Sequence, residues 1–577
     1  MHNEQGTRPS GADSGRAGTA HRSVRTRAAL GAAAALAAAV TPWTLSGAAE
    51  AAAPVQSAVT RATTSAVPTT DPITAHWTTQ TVAPGVQVRT GTIRDTAATP
   101  DWTITVQAPA TNRLTGAATW AEVGAESWAD ATARQLRAAG FQPRVERVLW
   151  PDYADTPHGT MGWRVRVGSY ATQVAAQSAS QPITSAGFHA AVKWTGYDAE
   201  QPADRENIHV AIIDPRTFTG TIEGTHDGNV AQRETTSSVA AKLGSLVATN
   251  GGFFVTANAD GVQGTMSGIG AYNGTLESMA AGARAALILT DGGRHARIAD
   301  LTTAVTARAG GSSYAVQGIN RVPGIVRDCG RPGATPSEQP LQDVTCYETD
   351  DLVLFTSEFS TALPTGAGTQ VVLDAVGRVV SVGARGGTVP AGGSVLQGIG
   401  SATGWLTAHA QTGKRLPVTE VVRDTSGRQV KLSPNDSIIS AAPTLVKDGR
   451  IDIDAATEGV VDPTDLSFGY AWANVRQPRT IAGIDKRGRL ILVTVDGRLT
   501  GGSEGFTIAE GAHFMQSLGA VQALNLDGGG STAMAVNGKL VNQTSDATGE
   551  RAVGDTLQVL PARCRRLCVP ARPPKTG

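Results

Sequence analysis

Cysteine is scarce in this chain: four residues in 577, at positions 329, 346, 564 and 568. So low a count excludes a small scaffold held together by disulfides. The four form no C-x-x-C pair, and no histidine stands beside them at ligand spacing, which argues against a structural zinc site. Charge is sparse too. Asp, Glu, Lys and Arg make up 17% of the chain and cancel to a formal net charge of zero, so the basic footprint of a nucleic-acid binder is missing. The ten histidines are scattered, and none forms an H-E-x-x-H pair. Beyond the N-terminal region no stretch of ~18 uninterrupted apolar residues occurs, which excludes a later membrane-spanning helix.

What the chain has instead is glycine, 67 residues, and proline, 29, on a 41% hydrophobic background. That mix suits a loop-rich, β-rich extracellular protein. At this length two or more domains are expected. Residues 1–53 read as an export signal: Arg22, Arg25 and Arg27 precede an apolar run at 28–40, and Ala49-Glu50-Ala51 fits a small-residue cleavage site. Residues 54–75, rich in Ala, Thr, Pro and Ser, read as a linker. After signal removal no membrane partner is expected, and the location is secreted, extracellular or wall-associated. An even cysteine count in an exported chain predicts two disulfides. Proximity favours Cys329–Cys346 and Cys564–Cys568, the second in a tail over 564–577, while three pairings stay open.

Between 100 and 197 a pattern occurs twice: an alternating strand, a helical stretch ending at Gly-Phe, and another strand. The first copy has WTITVQ, a helix over 127–139, Gly140-Phe141 and QPRVERV. The second has WRVRVGSY, a helix over 172–185, Gly187-Phe188 and HAAVKW. The order is β-α-β-β-α-β, a small ferredoxin-like arrangement. W-x-V-x-V-G-S-Y followed by Gly-Phe resembles the SPOR domain, and the resemblance implies peptidoglycan glycan strands as a binding partner.

From about 198 to 563 strands dominate, among them NIHVAIIDP, SLVATN, DLVLFTS and RLILVTVDG. Helices are expected near 237–243 and 507–518. In the second, Thr507 and Glu510 form a T-x-x-E capping box. The fold class is therefore α+β: a large, mostly antiparallel sheet domain with the small ferredoxin-like one.

The stretch NLDGGGSTAM carries the chemistry. Asp527 falls where the strand VQALNL ends and Gly528, Gly529 and Gly530 begin; Ser531 follows, and Asn537-Gly538 marks a hairpin beyond. Glycines let a ligand approach the backbone, and successive amides can form an anion-binding nest. A tight loop capped by Asp527 would use the same residues. Three further segments place polar groups at strand ends: NGGFF (Asn250, Gly251, Gly252), PRTIAGID (Arg479) and VDGR (Asp496, Arg498), with Arg551 in a loop after the hairpin. Arginine suits phosphate because its fork donates two parallel bonds.

In this order and spacing, NGGFF, PRTIAGID, DGR, the T-x-x-E helix, LGAVQALNLDGGGSTAM, NGKLVN and GER resemble the phosphodiester glycosidase family, to which the mannose 6-phosphate uncovering enzyme belongs. The stretch APGVQVRTG, within 76–99, is similar to that family's leading strand, which would make the SPOR-like unit an insertion. The resemblance implies a hydrolase cleaving a sugar 1-phosphodiester, GlcNAc-1-phosphodiester-like, into free sugar and phosphomonoester at the bacterial cell wall. It implies Asp527 or Asp496 as the carboxylate acting at C1, with Glu510 a weaker candidate already explained by its cap. Arg479, Arg498, Arg551 and the amides of 528–530 would hold the phosphate; Asn250, Gly251, Gly252 and Ser531 complete the expected substrate contacts. No cofactor is called for, and a divalent cation stays open because acidic residues and phosphate often share one. Asp452 and Asp454 read more readily as a solvated turn than as a Ca²⁺ site. GGSEG at 501–505 matches G-x-S-x-G, but Ser503 does not directly follow its strand, which argues against a serine hydrolase. The alternative function is a non-catalytic peptidoglycan-binding wall protein with a degenerate enzyme-like domain.

Overall fold

The computed structural model describes residues 73–112, 116–198, 200–329 and 339–562. The expected signal, most of the expected linker, and Cys564 and Cys568 lie outside them.

The larger part of the fold is built on an eight-stranded antiparallel sheet. In spatial order its strands are Ile73–Ala83, Val86–Asp95, Arg205–Ile213, Leu490–Val495, Arg479–Asp485, Ala520–Asn525, Thr444–Lys447 and Arg450–Ile451. Leu490–Val495 and Arg479–Asp485 are buried along their whole length, which is why Leu490–Val495 reads as a near-continuous apolar run rather than as alternation. Helix Ile508–Ser517 packs on one part of this sheet, with Met515 and Ala512 buried beneath it. Its cap is the expected one: Thr507 Oγ1 accepts from the Glu510 amide at 3.0 Å, and Glu510 Oε2 accepts from the Thr507 amide at 2.9 Å.

Strands Val86–Asp95 and Arg205–Ile213 pair antiparallel from Val86↔Ile213 to Arg94↔Arg205. The chain between them therefore leaves and re-enters the sheet at adjacent strands. That excursion holds a four-stranded antiparallel sheet in the order Pro143–Leu149, Thr160–Tyr170, Trp102–Val106, Ala190–Trp194. Helices Glu126–Ala138 and Gln173–Ser185 pack Leu136 and Ile183 on the sheet's Ile104 and Val165. Both chains turn after their helices at glycines with positive φ, Gly140 at 89° and Gly187 at 93°. The excursion is bolted to the larger part by polar contacts. Tyr153 Oη donates to Ala473 O at 3.0 Å, Trp194 Nε1 to Glu504 Oε1 at 3.0 Å, and Arg476 Nη1 to Gly196 O at 3.0 Å.

A five-stranded sheet in the order Thr221–Thr225, Thr556–Leu560, Val247–Asn250, Met534–Val536, Lys539–Leu540 lies beside the first. Asn537 and Gly538, both at positive φ, make the hairpin between its last two strands. A second eight-stranded sheet, a second five-stranded sheet and three two-stranded pairings complete the described residues, and the second five-stranded sheet holds a parallel pair, Gly318–Ile319 with Asp351–Phe355. The mostly antiparallel α+β class holds.

Helix Ser401–His409 was not legible in the sequence. Gly404 and the threonines are weak helix formers, and the cap comes from elsewhere: the Ala402 amide donates to Asp350 Oδ1 at 3.2 Å. Cys329 and Cys346 form a disulfide closing a hairpin insert. Among the described residues no helix is long and apolar enough to cross a membrane.

Candidate active site

Two strands from different sheets end at the same place. Val247–Asn250 runs into Gly251-Gly252, and Ala520–Asn525 runs into Leu526-Asp527-Gly528. They are stitched together by the Asp527 amide, which donates to Gly251 O at 3.0 Å, and by Asn250 Nδ2, which donates to Asp527 O at 2.7 Å. Asn250 Oδ1 accepts from Thr480 Oγ1 at 2.6 Å and from the Ala533 amide at 3.1 Å. Asn250 is fully buried, and its side chain is spent on this stitching.

The glycine run turns immediately. The Gly528 amide donates to Asp527 Oδ1 at 2.9 Å, the Gly529 amide to Pro478 O at 2.9 Å, and residues Gly529–Ser531 form one 3₁₀ turn. A side chain is excluded at Gly530 by Arg551, at Gly528 by the Pro478 carbonyl 2.9 Å from where its Cβ would lie, and is strained at Gly529 by its positive φ of 60°. A Cβ on Gly530 would lie 2.1 Å from Arg551 Nη2, and one on Gly529 would lie 3.4 Å from both Arg498 Nη atoms. One on Gly528 would lie 3.9 Å from Arg479 Cδ. The run is thus flanked by three guanidinium-bearing side chains from three distant segments.

The three differ in what they have left to offer. Arg498, itself at positive φ (58°), is exposed and bonds Gln477 Oε1. Arg551 is half-buried and forked onto Asp546, Nε to Oδ2 at 2.8 Å and Nη2 to Oδ1 at 3.1 Å. Arg479 is buried behind the turn. Its Nε donates to Phe506 O at 3.0 Å, its plane lies 4.8 Å over the Trp472 ring, and its Nη1 has no hydrogen-bond partner. Burial lowers the proton affinity of Arg479 to about 9, and the Arg498 charge adds to the fall. Arg498 is lowered as well, by the surrounding protein and then by Arg551. Asp546 offsets part of the repulsion between Arg498 and Arg551.

Asp527 keeps part of its surface open, yet desolvation by the protein around it raises its pKa to about 7. The Ser531 hydroxyl, Arg551 and the Gly528 amide pull the other way, and the Asp343 carboxylate adds to the rise. Asp496 is arranged differently. It is buried, its Oδ1 accepts from the Gln543 amide at 3.1 Å, and His209 Nε2 lies 3.9 Å away. Glu510 is taken up by its cap and by Arg476, whose Nη2 donates to it at 2.6 Å. Ser531 is buried, with its hydroxyl on the Asp527 side of the turn. Asp343 and Asp546 were not picked out from the sequence. Asp546 could have been, because it stands five residues before an arginine already singled out; Asp343 lies on the disulfide-closed insert, far away in the chain.

Among the described residues no group of three His, Cys, Asp or Glu side chains is arranged to hold a metal ion. Beside IDIDA, Lys447 bonds Asp454 and stands 3.7 Å from Asp300, so an ammonium occupies that acidic corner.

This arrangement, a carboxyl beside a glycine turn ringed by arginines on an antiparallel sheet scaffold, is found in a chain that carries a phosphodiester glycosidase domain, matched over residues 367–560, and a SPOR domain, matched over 119–194. The N-acetylglucosamine-1-phosphodiester alpha-N-acetylglucosaminidases of Mus musculus and Homo sapiens are 33% and 32% identical to it over 141 residues. Those matches span 24% of this chain and about a quarter, 27%, of each relative's length. An uncharacterized prophage-derived protein of Bacillus subtilis is 44% identical over 90 residues, 15% of this chain and 14% of its own. Over most of its length the chain resembles a crystal structure described as a "putative exported protein" of Burkholderia pseudomallei. The TM-score is 0.73 and the identity 32%, covering 85% of this chain and 97% of the other.

Proposed function

We propose that the protein is a secreted, wall-associated glycosidase that hydrolyses a sugar 1-phosphodiester into free sugar and a phosphomonoester. The observation that carries this reading is the packing of Gly528–Gly530 against Arg498, Arg551 and Arg479 with Asp527 at the head of the turn. Backbone amides and guanidinium groups are the donors that hold a phosphate.

In this reading Arg498 and Arg551 meet the phosphate from the open side, with Asp546 yielding its hold on Arg551 as the anion arrives. Arg479 supports the turn from behind, where its free Nη1 adds positive charge. A phosphate leaving group is a weak base and needs little protonation as the C1–O bond breaks. The remaining task is to assist attack at C1, and the Asp527 carboxylate does this as base or nucleophile. Asp496 steadies the loop at Gln543 from below. The SPOR unit holds glycan strands and keeps the enzyme at the wall. The export signal and the Cys329–Cys346 disulfide fit an oxidising, extracellular setting.

The test is incubation of the mature protein with a panel of sugar 1-phosphodiesters. Release of free reducing sugar together with a phosphomonoester supports the reading. Binding to peptidoglycan with no turnover of any member would favour a wall-binding protein without catalysis.

A further inference from the structure

Beneath the Gly251-Gly252 turn lies a buried polar cluster that phosphate binding does not use. Its centre is Asp555, which is 1% exposed. Asp555 Oδ1 accepts from the Gly252 amide at 2.8 Å, and its main-chain oxygen accepts from the Gly251 amide at 3.1 Å. Its other carboxylate oxygen accepts from Tyr272 Oη at 2.9 Å. Tyr272 is buried in turn, and the His226 ring meets it edge-on with centroids 4.7 Å apart. His226 Nε2 lies 2.8 Å from Glu277 Oε2, which fixes the ring.

The contact between Asp555 and the turn is so close that Gly251 admits no side chain: a Cβ there would lie 2.3 Å from Asp555 Oδ1. On the opposite side, a Cβ on Gly252 would lie 2.2 Å from Ser440 O. The turn is therefore held between a carboxylate and a strand. The same turn presents Gly251 O to the Asp527 amide at 3.0 Å. A displacement of the turn is passed to Asp527 through one hydrogen bond.

We propose that Asp555, oriented by Tyr272, is a positioning residue for Asp527: it fixes the Gly251-Gly252 turn against which the Asp527 backbone is set. The inference rests on the reading of Asp527 as the carboxylate acting at C1. A buried carboxylate is costly to keep unless its oxygens are satisfied, and both oxygens of Asp555 are, one by the Gly252 amide of the turn and one by the Tyr272 hydroxyl. An error of about 1 Å in a reacting group can cost about 100-fold in rate, so a fixed turn has catalytic value beyond stability.

Asp555→Ala, Asp555→Asn and Tyr272→Phe in the full chain test this. Asp555→Ala is expected to lower kcat by about 30-fold or more with KM within about threefold, since the phosphate contacts stay in place. Asp555→Asn should recover activity to within about fivefold of wild type, because an amide oxygen can still take the Gly252 amide while Tyr272 turns to accept. If Asp555→Ala does not fold, Tyr272→Phe decides: a lower kcat with KM unmoved supports the proposal, and wild-type values overturn it. A folded Asp555→Ala with wild-type kcat also overturns it, as does a loss that only follows the folded fraction. Should the wild type cleave no phosphodiester, the catalytic reading fails by itself. The positioning is then read from carboxyl ¹³C titration of Asp527: a midpoint lowered by half a pH unit or more in Asp555→Ala supports it, and an unchanged midpoint contradicts it.

Discussion

Arg551 grips Asp546 with two hydrogen bonds, of 2.8 and 3.1 Å, directly over the position where Gly530 lacks a side chain. The pair bridges two points of one loop, and it holds a guanidinium against the glycine turn without burying it. A half-exposed ion pair of this kind contributes little to stability, about 0–1 kcal/mol.

Replacing Arg551 by Ala is therefore expected to leave thermal unfolding within a few degrees of wild type. It should lower kcat/KM by about 100-fold, the scale of losing one charged donor to a developing oxyanion. Arg498→Ala should behave similarly, and the double variant should lose less than the sum because both meet one phosphate. Steady-state kinetics with circular dichroism thermal melts check both parts.

Asp527→Asn keeps an acceptor for the Gly528 amide but removes the carboxylate. Turnover should fall by about 1,000-fold or more, within the range expected for a catalytic base or nucleophile, while a sugar 1-phosphate still binds in calorimetry. Near-normal turnover would remove Asp527 from the chemistry.

The pH dependence follows from the sign of the shift. Asp527 has a pKa raised to about 7, chiefly by desolvation, and acts in its ionised form. The logarithm of kcat/KM should therefore rise with pH on its acid side and level off above a midpoint near 7. An activity that falls through pH 7 would mean that the protonated carboxyl is the active species.

Stability should move the opposite way. Burial raises Glu206 to about 8 and Glu458 to about 7, against about 4.3 in the unfolded chain. The folded state thus binds their protons more tightly. This contribution is fully present below pH 4 and is lost as pH rises to about 8. Glu206 Oε1 also has no hydrogen-bond partner. Glu206→Gln should raise Tm at pH 8.5 and change it little at pH 5, as differential scanning calorimetry would show.

The glycine-flanked motifs were legible because their chemistry is local: Gly after a strand, Asn-Gly at a hairpin and T-x-x-E at a helix start each declare themselves over a few residues. The two helices of the 100–197 stretch read out for the same reason, since its periods change within one segment, while the hairpin of Ala108–Thr111 with Ala118–Ala121 did not. What was hidden depends on distant chain. Asp555 lies at the start of an unremarkable strand and matters only because Gly251 packs on its carboxylate at 2.3 Å from where a Cβ would be. Helix Ser401–His409 borrows its cap from Asp350. The separate situations of Asp527 and Asp496 could not be told from sequence either. Both are aspartates at strand ends, and only the fold shows one beside the arginines and the other bonded to Gln543.

The central claim is that the bond broken is the one between the sugar C1 and oxygen. Hydrolysis of a sugar 1-phosphodiester in ¹⁸O-labelled water, with both products weighed by mass spectrometry, tests it most directly. Cleavage of the C1–O bond puts the label in the released sugar and none in the phosphomonoester. Label in the phosphomonoester would show attack at phosphorus and contradict it.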